Sequence, residues 1–211
     1  MTTASPLPRE RAGAGCAAVL VVVAGSLLLG CGSNSPGTSA RQPLSQRQAH
    51  GVAWPSPQLP PRGWTAKRIA SGAATLYYPA GWSPLTGDRG TVSAALRGGG
   101  HFRGYLNVTP RQGSEQLAGW ARFRTNRNSS EGDTRVRPVA SAEGLRFRYA
   151  ARGSCVIDDY LSRVGANPYR ELACIVSGRR STSVFIGAAL RRDWPLLAPL
   201  IRRAAGALLA R

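Results

Sequence analysis

The chain has 211 residues, enough for one ordinary domain or two very small ones, which excludes a large multidomain protein. Its formal net charge is +18, and Lys67 is the only lysine among its 28 basic residues. Together with abundant Ala, Gly and Pro, this excess of Arg indicates GC-rich codon usage, so the charge alone does not indicate a nucleic-acid-binding protein.

The first 30 residues have the features of an export signal. Arg9 and Arg11 come before the apolar run 16–29, and small residues follow it. This run is shorter than the roughly 20 residues that a membrane-spanning helix needs. A basic lead, a short apolar core and small residues at its end are typical of a secretory signal peptide.

A cysteine motif ends this apolar run. The sequence Leu28-Leu29-Gly30-Cys31 resembles the lipobox of bacterial lipoproteins, in which the Cys receives a diacylglycerol and a peptidase then cleaves before it. The resemblance implies that residues 1–30 are a lipoprotein signal peptide and that Cys31 carries lipid. The alternative is a non-lipidated signal with an incidental Cys. Acyl chains, at about 0.8 kcal/mol per buried methylene, would hold the chain on the extracytoplasmic face of the cell membrane.

Export changes the interpretation of the charge and of the other cysteines. An exported protein does not meet chromosomal nucleic acid, so anionic lipid headgroups and wall polyanions remain as partners for a basic surface. Cys155 and Cys174 form an even pair in an oxidising compartment, which favours a disulfide worth about 3 kcal/mol. Buried thiols or a metal site are the alternatives, but no His lies nearby and the C-x-x-C spacing is absent.

Residues 31–63 are predicted to be a lipidated, disordered tether. They are rich in Ser, Pro, Gly, Gln and Arg, contain few apolar residues and have no acidic ones, a composition that cannot bury a core. Trp54 is the exception, and we expect it to be exposed. The folded domain is then predicted to span residues 64–211.

The domain begins with alternating segments that predict short antiparallel strands at 74–78, 91–96 and 104–109. The segment Tyr77-Tyr78-Pro79-Ala80-Gly81-Trp82 resembles the "YPxGW" hallmark of PsbP-like proteins, which include Lpq-type actinobacterial lipoproteins. The resemblance implies an antiparallel sheet between helices and a non-enzymatic accessory or binding role. The metal-binding His residues of some members have no counterpart here, so no ligand is carried over.

A helix is predicted next. Ser114 is a good N-cap, and Leu117, Trp120 and Arg124 repeat at helical spacing over 117–127, with the Arg end meeting solvent. Five strands follow at 134–140, 144–151, 155–161, 169–176 and 181–189. Pairing Cys155 with Cys174 places a turn centre between residues 164 and 165, inside the loop that the composition predicts.

The last element is a helix with one apolar stripe. Asp193 is its candidate N-cap, but Pro199 would clash inside a helix, so the regular part is expected to start near Ala198. We favour a helix lying on the sheet over one lying on a membrane surface. The predicted fold class is therefore α+β, an antiparallel β-sheet of about six to eight strands with one inserted helix and one C-terminal helix packed on it.

The sequence predicts no catalytic, cofactor-binding or metal-binding residues. His50 lies in the tether and His101 lies beside a glycine loop, and neither has a partner at metal-ligand spacing. No nucleophile elbow and no phosphate-binding loop is present. A hydrolase would have to use His101 as its base.

Three acidic residues share one predicted hairpin. Asp158 and Asp159 are adjacent on a strand and therefore point to opposite faces, which makes them a poor acid–base pair. We expect one of them to form a surface ion pair with Arg163 or Arg170, and we expect Glu171 to face solvent. A calcium site built from the three carboxylates is the alternative, although one hairpin rarely completes such a shell.

These observations predict a membrane-anchored, non-catalytic binding or accessory module of the cell envelope, with an envelope component or a membrane protein as partner. Tyr105, Phe102 and Arg103 form a candidate contact patch, because aromatic residues and Arg are common at interfaces. Two alternatives stay open. One is a carrier of a lipid or other hydrophobic ligand held between the sheet and the terminal helix, and the other is a hydrolase using His101.

Overall fold

The computed structural model describes residues 51–211, so the predicted signal peptide and Cys31 lie outside the described part. In chain order its elements are β1 (Thr65–Arg68), β2 (Ala74–Tyr78), β3 (Ser83–Leu85), β4 (Val92–Gly98), β5 (His101–Pro110), α1 (Trp120–Ser130), β6 (Thr134–Arg146), β7 (Arg152–Leu161), β8 (Pro168–Ser177), β9 (Thr182–Leu190), α2 (Trp194–Ala207) and β10 (Leu209–Ala210). Neither helix combines the length and apolar character that crossing a bilayer requires.

The strands form two antiparallel sheets. Seven strands form one sheet in the order β3-β4-β5-β9-β8-β7-β6, and β1-β2-β10 form a second, small sheet. This confirms the predicted α+β class with one inserted and one C-terminal helix. β6 is a single strand, where the sequence predicted one strand at 134–140 and another from 144. Gly144 does not separate them, because its positive φ of 68° lies within an irregular stretch of the pairing with β7.

The central strands of the large sheet are buried on both faces. In β8, Leu172–Val176 is a continuous apolar run, as expected of a strand covered from both sides. On one face, α2 and the small sheet cover a large apolar core that includes Phe185 and Ile201. On the other face, α1 covers a small cluster formed by Trp120, Val156, Ala173, Ile175 and Val184.

α1 starts later than predicted, whereas α2 starts directly after its candidate N-cap and earlier than the expected start near Ala198. α1 begins at Trp120 after Gly119, whose φ of 71° breaks any helix arriving from Ser114. α2 begins at Trp194, with Asp193 at the N-cap position, and continues through Pro199. Pro199 has no N–H to donate to the carbonyl of Pro195, four residues earlier. Both residues are exposed, so water can satisfy that carbonyl.

Residues 51–63 differ from the predicted tether because they lie against the domain. Val52 and Trp54 pack on the large core, and Pro55 is buried. The backbone N–H of Gln58 donates to the carbonyl of Gly206 at 3.1 Å, a close approach that any side chain at Gly206 would block. A few apolar residues hold this segment on the domain, although its overall composition is polar.

The predicted hairpin between β7 and β8 has the expected register. Cys155 lies opposite Cys174, their Cα atoms are 4.1 Å apart, and the two sulfurs are bonded at 2.08 Å. The pair lies on the α2 face, within the large core. The disulfide therefore joins two neighbouring strands in each of which more than half of the residues are buried.

Candidate functional site

A polar groove lies beside α1 on the face of the large sheet opposite α2. α1 packs on β6, β7 and β8, whereas β9, β5 and β4 continue beyond it without a helix above them. The step between the helix and the uncovered strands encloses about 870 Å³. We name this feature the α1 groove, and it is lined among others by Asp88, Tyr105, Asn107, Glu115, Trp120, Phe123, Arg124, Glu131, Asp133, Tyr160 and Ile186.

β5 supplies the polar floor of the α1 groove. Leu106 and Val108 point into the large core, and the alternating residues Tyr105 and Asn107 therefore point to the groove. The Asn107 amide donates to Ser93 Oγ at 2.8 Å, and that oxygen lies 3.3 Å from the Tyr105 hydroxyl. Burial raises the pKa of the Tyr105 phenol, which therefore stays protonated. The floor offers a fixed set of hydrogen-bonding groups.

A buried ion pair fixes α1 against the sheet. Arg124 donates from Nε and Nη2 to the two carboxylate oxygens of Glu171, at 2.6 and 3.0 Å. The Trp120 indole N–H donates to the carbonyl of Ala173 at 2.9 Å, one turn earlier. The expectations that Glu171 faces solvent and that the Arg end of the helix is exposed are therefore wrong, because α1 covers this part of β8.

A second polar pair lies next to the ion pair. The Asn128 amide donates to Asp158 Oδ2 at 3.2 Å, and both side chains are fully buried. Within the described residues, the Oδ1 atoms of Asn128 and Asp158 have no hydrogen-bond partner. Burial, together with the charge of Glu171, raises the pKa of Asp158 well above its ordinary value. A proton on Asp158 removes a buried charge and turns one of its carboxylate oxygens into a hydrogen-bond donor.

Acidic side chains collect around the groove of this strongly basic protein. The whole sequence has ten acidic residues, and four of them, Asp88, Glu115, Glu131 and Asp133, line the α1 groove. Its two arginines are already engaged, because Arg124 binds Glu171 and Arg127 binds Glu131. The groove is therefore much less positive than the rest of the surface, and it presents polar groups beside the stacked rings of Trp120 and Phe123.

The predicted contact patch is only partly assembled. The rings of Phe102 and Tyr105 stack at 6.3 Å between centroids, and Tyr105 lines the α1 groove. Arg103, however, makes two hydrogen bonds to the carboxylate of Asp193, at 2.8 and 3.1 Å, and is thereby held at the start of α2. Arg103 is the extra residue of a bulge in β5, since the pairing with β4 passes from Gly104 directly to Phe102. The bulge lets Arg103 turn away from the face that carries Tyr105.

The acidic residues of the hairpin separate as strand geometry requires. Asp158 faces α1, whereas Asp159 lies on the other face and accepts hydrogen bonds from Arg170 and Arg137. The ion pair with Arg170 was expected, although Asp159 is itself buried. Asp159 is thereby separated from Asp158 and Glu171, and residues 51–211 contain no group of three or more His, Cys, Asp or Glu side chains suited to hold a metal ion.

Histidine does not contribute to the groove. His101 is on β5, and its Nε2 lies 3.1 Å from a guanidinium nitrogen of Arg192. His50 lies outside the described residues. The sequence also failed to identify the pair of Arg124 and Glu171, although a signal was present. The register set by the two cysteines places Asp158 directly opposite Glu171, and like charges in that position require a nearby cation.

The space between the sheet and α2 is close-packed. Leu197, Ile201 and Leu208 are almost completely buried there, and a Cβ added to Gly187 would collide with Ile201. A lipid held between the sheet and the terminal helix, as the carrier alternative requires, would have to displace these side chains.

No protein-family profile matches the chain, and no curated protein matches it in sequence. The solution structure of cyanobacterial PsbP (CyanoP) from Synechocystis sp. PCC 6803 is similar, with a TM-score of 0.51 and 16% identity over 76% of this chain and 96% of that chain. The fold is PsbP-like.

Two further solved structures resemble the chain less closely. A protein of unknown function, PA94 from Pseudomonas aeruginosa, has a TM-score of 0.46 and 14% identity over 70% of this chain and 97% of its own. LpqN, described as involved in cell envelope biogenesis of Mycobacterium tuberculosis, has a TM-score of 0.36 and 15% identity over 75% of this chain and 86% of its own. The PsbP-like fold itself rests on the CyanoP structure.

Proposed function

We propose that the protein is a lipid-anchored module of the cell envelope that binds a ligand or partner in the α1 groove and catalyses no reaction. The observation that carries the proposal is the α1 groove itself. Its polar floor and aromatic wall are held by buried pairs that do not depend on a ligand. Preorganised sites of this kind bind with little cost of ordering.

The chemistry of the groove supports a polar occupant with at least one flat or apolar surface. Tyr105 and Asn107 offer donors and acceptors at the floor, whereas Phe123 offers aromatic surface on the wall, with the buried Trp120 ring stacked behind it. The acidic rim favours a neutral or cationic group over an anionic one. An exposed segment of an envelope protein or a polar envelope molecule has this character.

The engagement of the titratable groups supports binding over catalysis. The carboxylate of Glu171 is held by Arg124, and Ser93 is bonded to Asn107 with no histidine beside it. His101 Nε2 lies 3.1 Å from a guanidinium nitrogen of Arg192, and His101 is not among the residues that line the α1 groove. An esterase or phosphatase activity that disappeared in His101→Ala would overturn this part of the proposal.

Lipid anchoring is tested by metabolic labelling. Cells grown with a clickable fatty acid should incorporate it into the wild-type chain, and the label should disappear in Cys31→Ser. The matched control is Cys16→Ser, which changes a cysteine on the other side of the apolar run and should keep the label. An unlabelled wild-type chain would contradict the anchor.

The α1 groove is tested by photo-crosslinking in cells. A benzophenone amino acid replaces Phe123 on the groove wall, and the control replaces Val164, which is 75% exposed in the β7–β8 turn. We expect a discrete product from position 123 that is lost in Asn107→Ala, and no such product from position 164. Equal products from both positions would indicate random collision and contradict a groove ligand.

The carrier alternative is separated by chemistry. Organic extraction of the purified protein followed by mass spectrometry would recover a stoichiometric lipid from a carrier. We expect no such lipid, because the interface between the sheet and α2 is filled by protein side chains.

A further inference from the structure

The turn between β8 and β9 carries a group of exposed arginines at one end of the large sheet. Arg179 and Arg180 lie on this turn, and the backbone N–H of Arg180 donates to the carbonyl of Arg211 at 3.0 Å. Gly178 makes this approach possible, because a side chain there would meet the backbone of Ala210 and Arg211. Three arginines are thereby held side by side by backbone contacts.

Two adjoining hollows extend this group into a continuous surface. One, of about 660 Å³, is lined by Tyr149, Arg179, Arg180 and Arg211 together with Leu209 and Ala210. The other, of about 560 Å³, shares Arg179 and Arg180 and adds Arg111 among Ser and Thr side chains. We name Arg111, Tyr149, Arg179, Arg180 and Arg211 the arginine edge.

The arginine edge gathers four arginines around two adjoining hollows, and none of the four is paired with an acidic side chain of the described residues. Arg103, Arg124 and Arg170 are each bonded to a carboxylate. Among the side chains that line the two hollows, none is acidic, and no carboxylate of residues 51–211 lies within ion-pair distance of the four arginines. Four neighbouring guanidinium groups without an Asp or Glu side chain in ion-pair contact attract an external anion.

Tyr149 adds an exposed aromatic ring to the arginine edge. It is 66% exposed, and the Arg148 guanidinium lies 5.2 Å from the centre of its ring. Tyr149 and Ala150 both adopt positive φ angles, 55° and 60°, a conformation that costs non-glycine residues about 1–2 kcal/mol each. This strained turn holds the ring outward, and Tyr is one of the residues enriched at membrane interfaces.

The chain from the proposed anchor enters the domain beside this edge. Gln58 is bonded to Gly206, and the guanidinium of Arg148 donates to the next carbonyl, that of Ala207, at 3.2 Å. Leu209, two residues later, already lines the first hollow. Residues 32–50 reach at most about 65 Å even when fully extended, so an anchor on Cys31 would keep the whole domain within that distance of the bilayer.

We propose that the arginine edge docks on the anionic phospholipid headgroups of the membrane that holds the protein. The inference rests on the proposed lipid anchor for its location, but the surface itself does not require acylation. Guanidinium groups bind phosphate oxygens through paired hydrogen bonds, and each basic residue near an anionic leaflet adds to the attraction. Docking at this end would fix the direction in which the α1 groove faces.

The test uses residues 32–211, which include both sheets, both helices and the whole core but lack the acyl acceptor. Binding is measured by cosedimentation with vesicles of phosphatidylcholine alone or with about 30% phosphatidylglycerol, an anionic fraction that creates a negative surface potential. We expect binding to the anionic vesicles only. The triple variant Arg179→Gln, Arg180→Gln and Arg211→Gln should bind about tenfold more weakly or worse.

A matched control removes the same charge elsewhere. Arg135, Arg163 and Arg192 are exposed and lie towards the opposite end of β8, so the triple change of these residues to Gln should weaken binding by only about twofold. Replacing the three arginines of the edge by Lys should retain most binding, and circular dichroism should show every variant folded.

Three outcomes would overturn the proposal. One is no binding to anionic vesicles, and another is equal loss in both triple variants, which would indicate net charge alone. The third is edge-dependent binding to soluble polyphosphate without vesicle binding, which would identify a polymer as the occupant. Because the assay contains no lipid on the protein, its failure is independent of a failure of the fatty-acid labelling.

Discussion

The two faces of the large sheet are built on different physical principles. The α2 face is an apolar core sealed by α2, the small sheet and the disulfide, with residues such as Phe185 and Ile201 completely buried. The α1 face has a small apolar cluster, a buried ion pair, a buried acid–amide pair and an open groove. Stability is concentrated on the first face and polar specificity on the second.

This difference agrees with the proposal that the protein binds its ligand or partner on the α1 face. Buried polar groups are costly unless they are fully paired, so a face that keeps them next to an open groove gains little stability from them. What they do is hold α1 at a fixed distance from β9 and β5, and that distance defines the groove. The α2 face therefore supplies most of the apolar core, and the α1 face carries the proposed binding surface.

The largest expected effect comes from breaking the buried ion pair. Glu171→Ala leaves the Arg124 guanidinium buried without its carboxylate, which should lower the free energy of unfolding by about 3–5 kcal/mol. The double variant Arg124→Met and Glu171→Leu should recover most of this loss, because neither charge then remains. Urea unfolding of the two variants measures both effects, and a double variant as unstable as Glu171→Ala would contradict the reasoning.

The next effect is a cavity on the other face. Ile201→Ala removes a completely buried side chain that packs over Gly187, at an expected cost of about 2–4 kcal/mol. Crosslinking from position 123 should be unchanged in the folded fraction, since α2 does not contribute to the α1 groove. Loss of the crosslink at temperatures where the variant is folded would show that the two faces are coupled.

The sequence predicted the α2 face better than the α1 face, for a physical reason. The apolar stripe and the cysteine pair consist of residue types that are usually buried, so the sequence predicted the C-terminal helix and the register of β7 and β8. Glu171 and Arg124 look solvent-facing in isolation, and their burial follows only from the docking of two distant elements. The start of α1 depended on Gly119, a single residue that overrode a good cap at Ser114.

Asp158 and Asp159 lie on opposite faces of the large sheet and should affect the pH dependence of stability in opposite directions. Burial and the charge of Glu171 raise the pKa of Asp158. The folded state then holds a proton that the unfolded chain releases, so this contribution to stability is complete below the unfolded pKa of about 3.9 and is lost as the pH rises through the folded value. Asp158→Asn mimics the protonated acid and should remove this loss.

Asp159 has the opposite sign. Although burial opposes ionisation, the hydrogen bonds and charges of Arg170, Arg191 and Arg137 lower its pKa. Its stabilisation is present above the unfolded pKa and is lost as the pH falls through the folded value. Unfolding free energies between about pH 3 and pH 8 should therefore show Asp158→Asn relatively more stable at high pH and Asp159→Asn relatively less stable there. Parallel profiles for the two variants would contradict the assignment.

The smallest effect on stability should carry the largest effect on binding. Tyr105→Phe removes one hydroxyl at the groove floor, where it contacts Ser93 at 3.3 Å, and should change the free energy of unfolding by about 1 kcal/mol or less. Ile201→Val, which removes one methylene from the α2 core, should cost a similar 0.5–1.5 kcal/mol, roughly. Thermal unfolding would establish that the two variants are matched in stability.

Crosslinking from position 123 should then fall only in Tyr105→Phe, because this change removes a hydroxyl that the ligand can contact, whereas Ile201→Val removes a methylene from the core. Equal crosslinking in both variants would mean that the occupant does not reach the floor of the groove and is held by its rim alone.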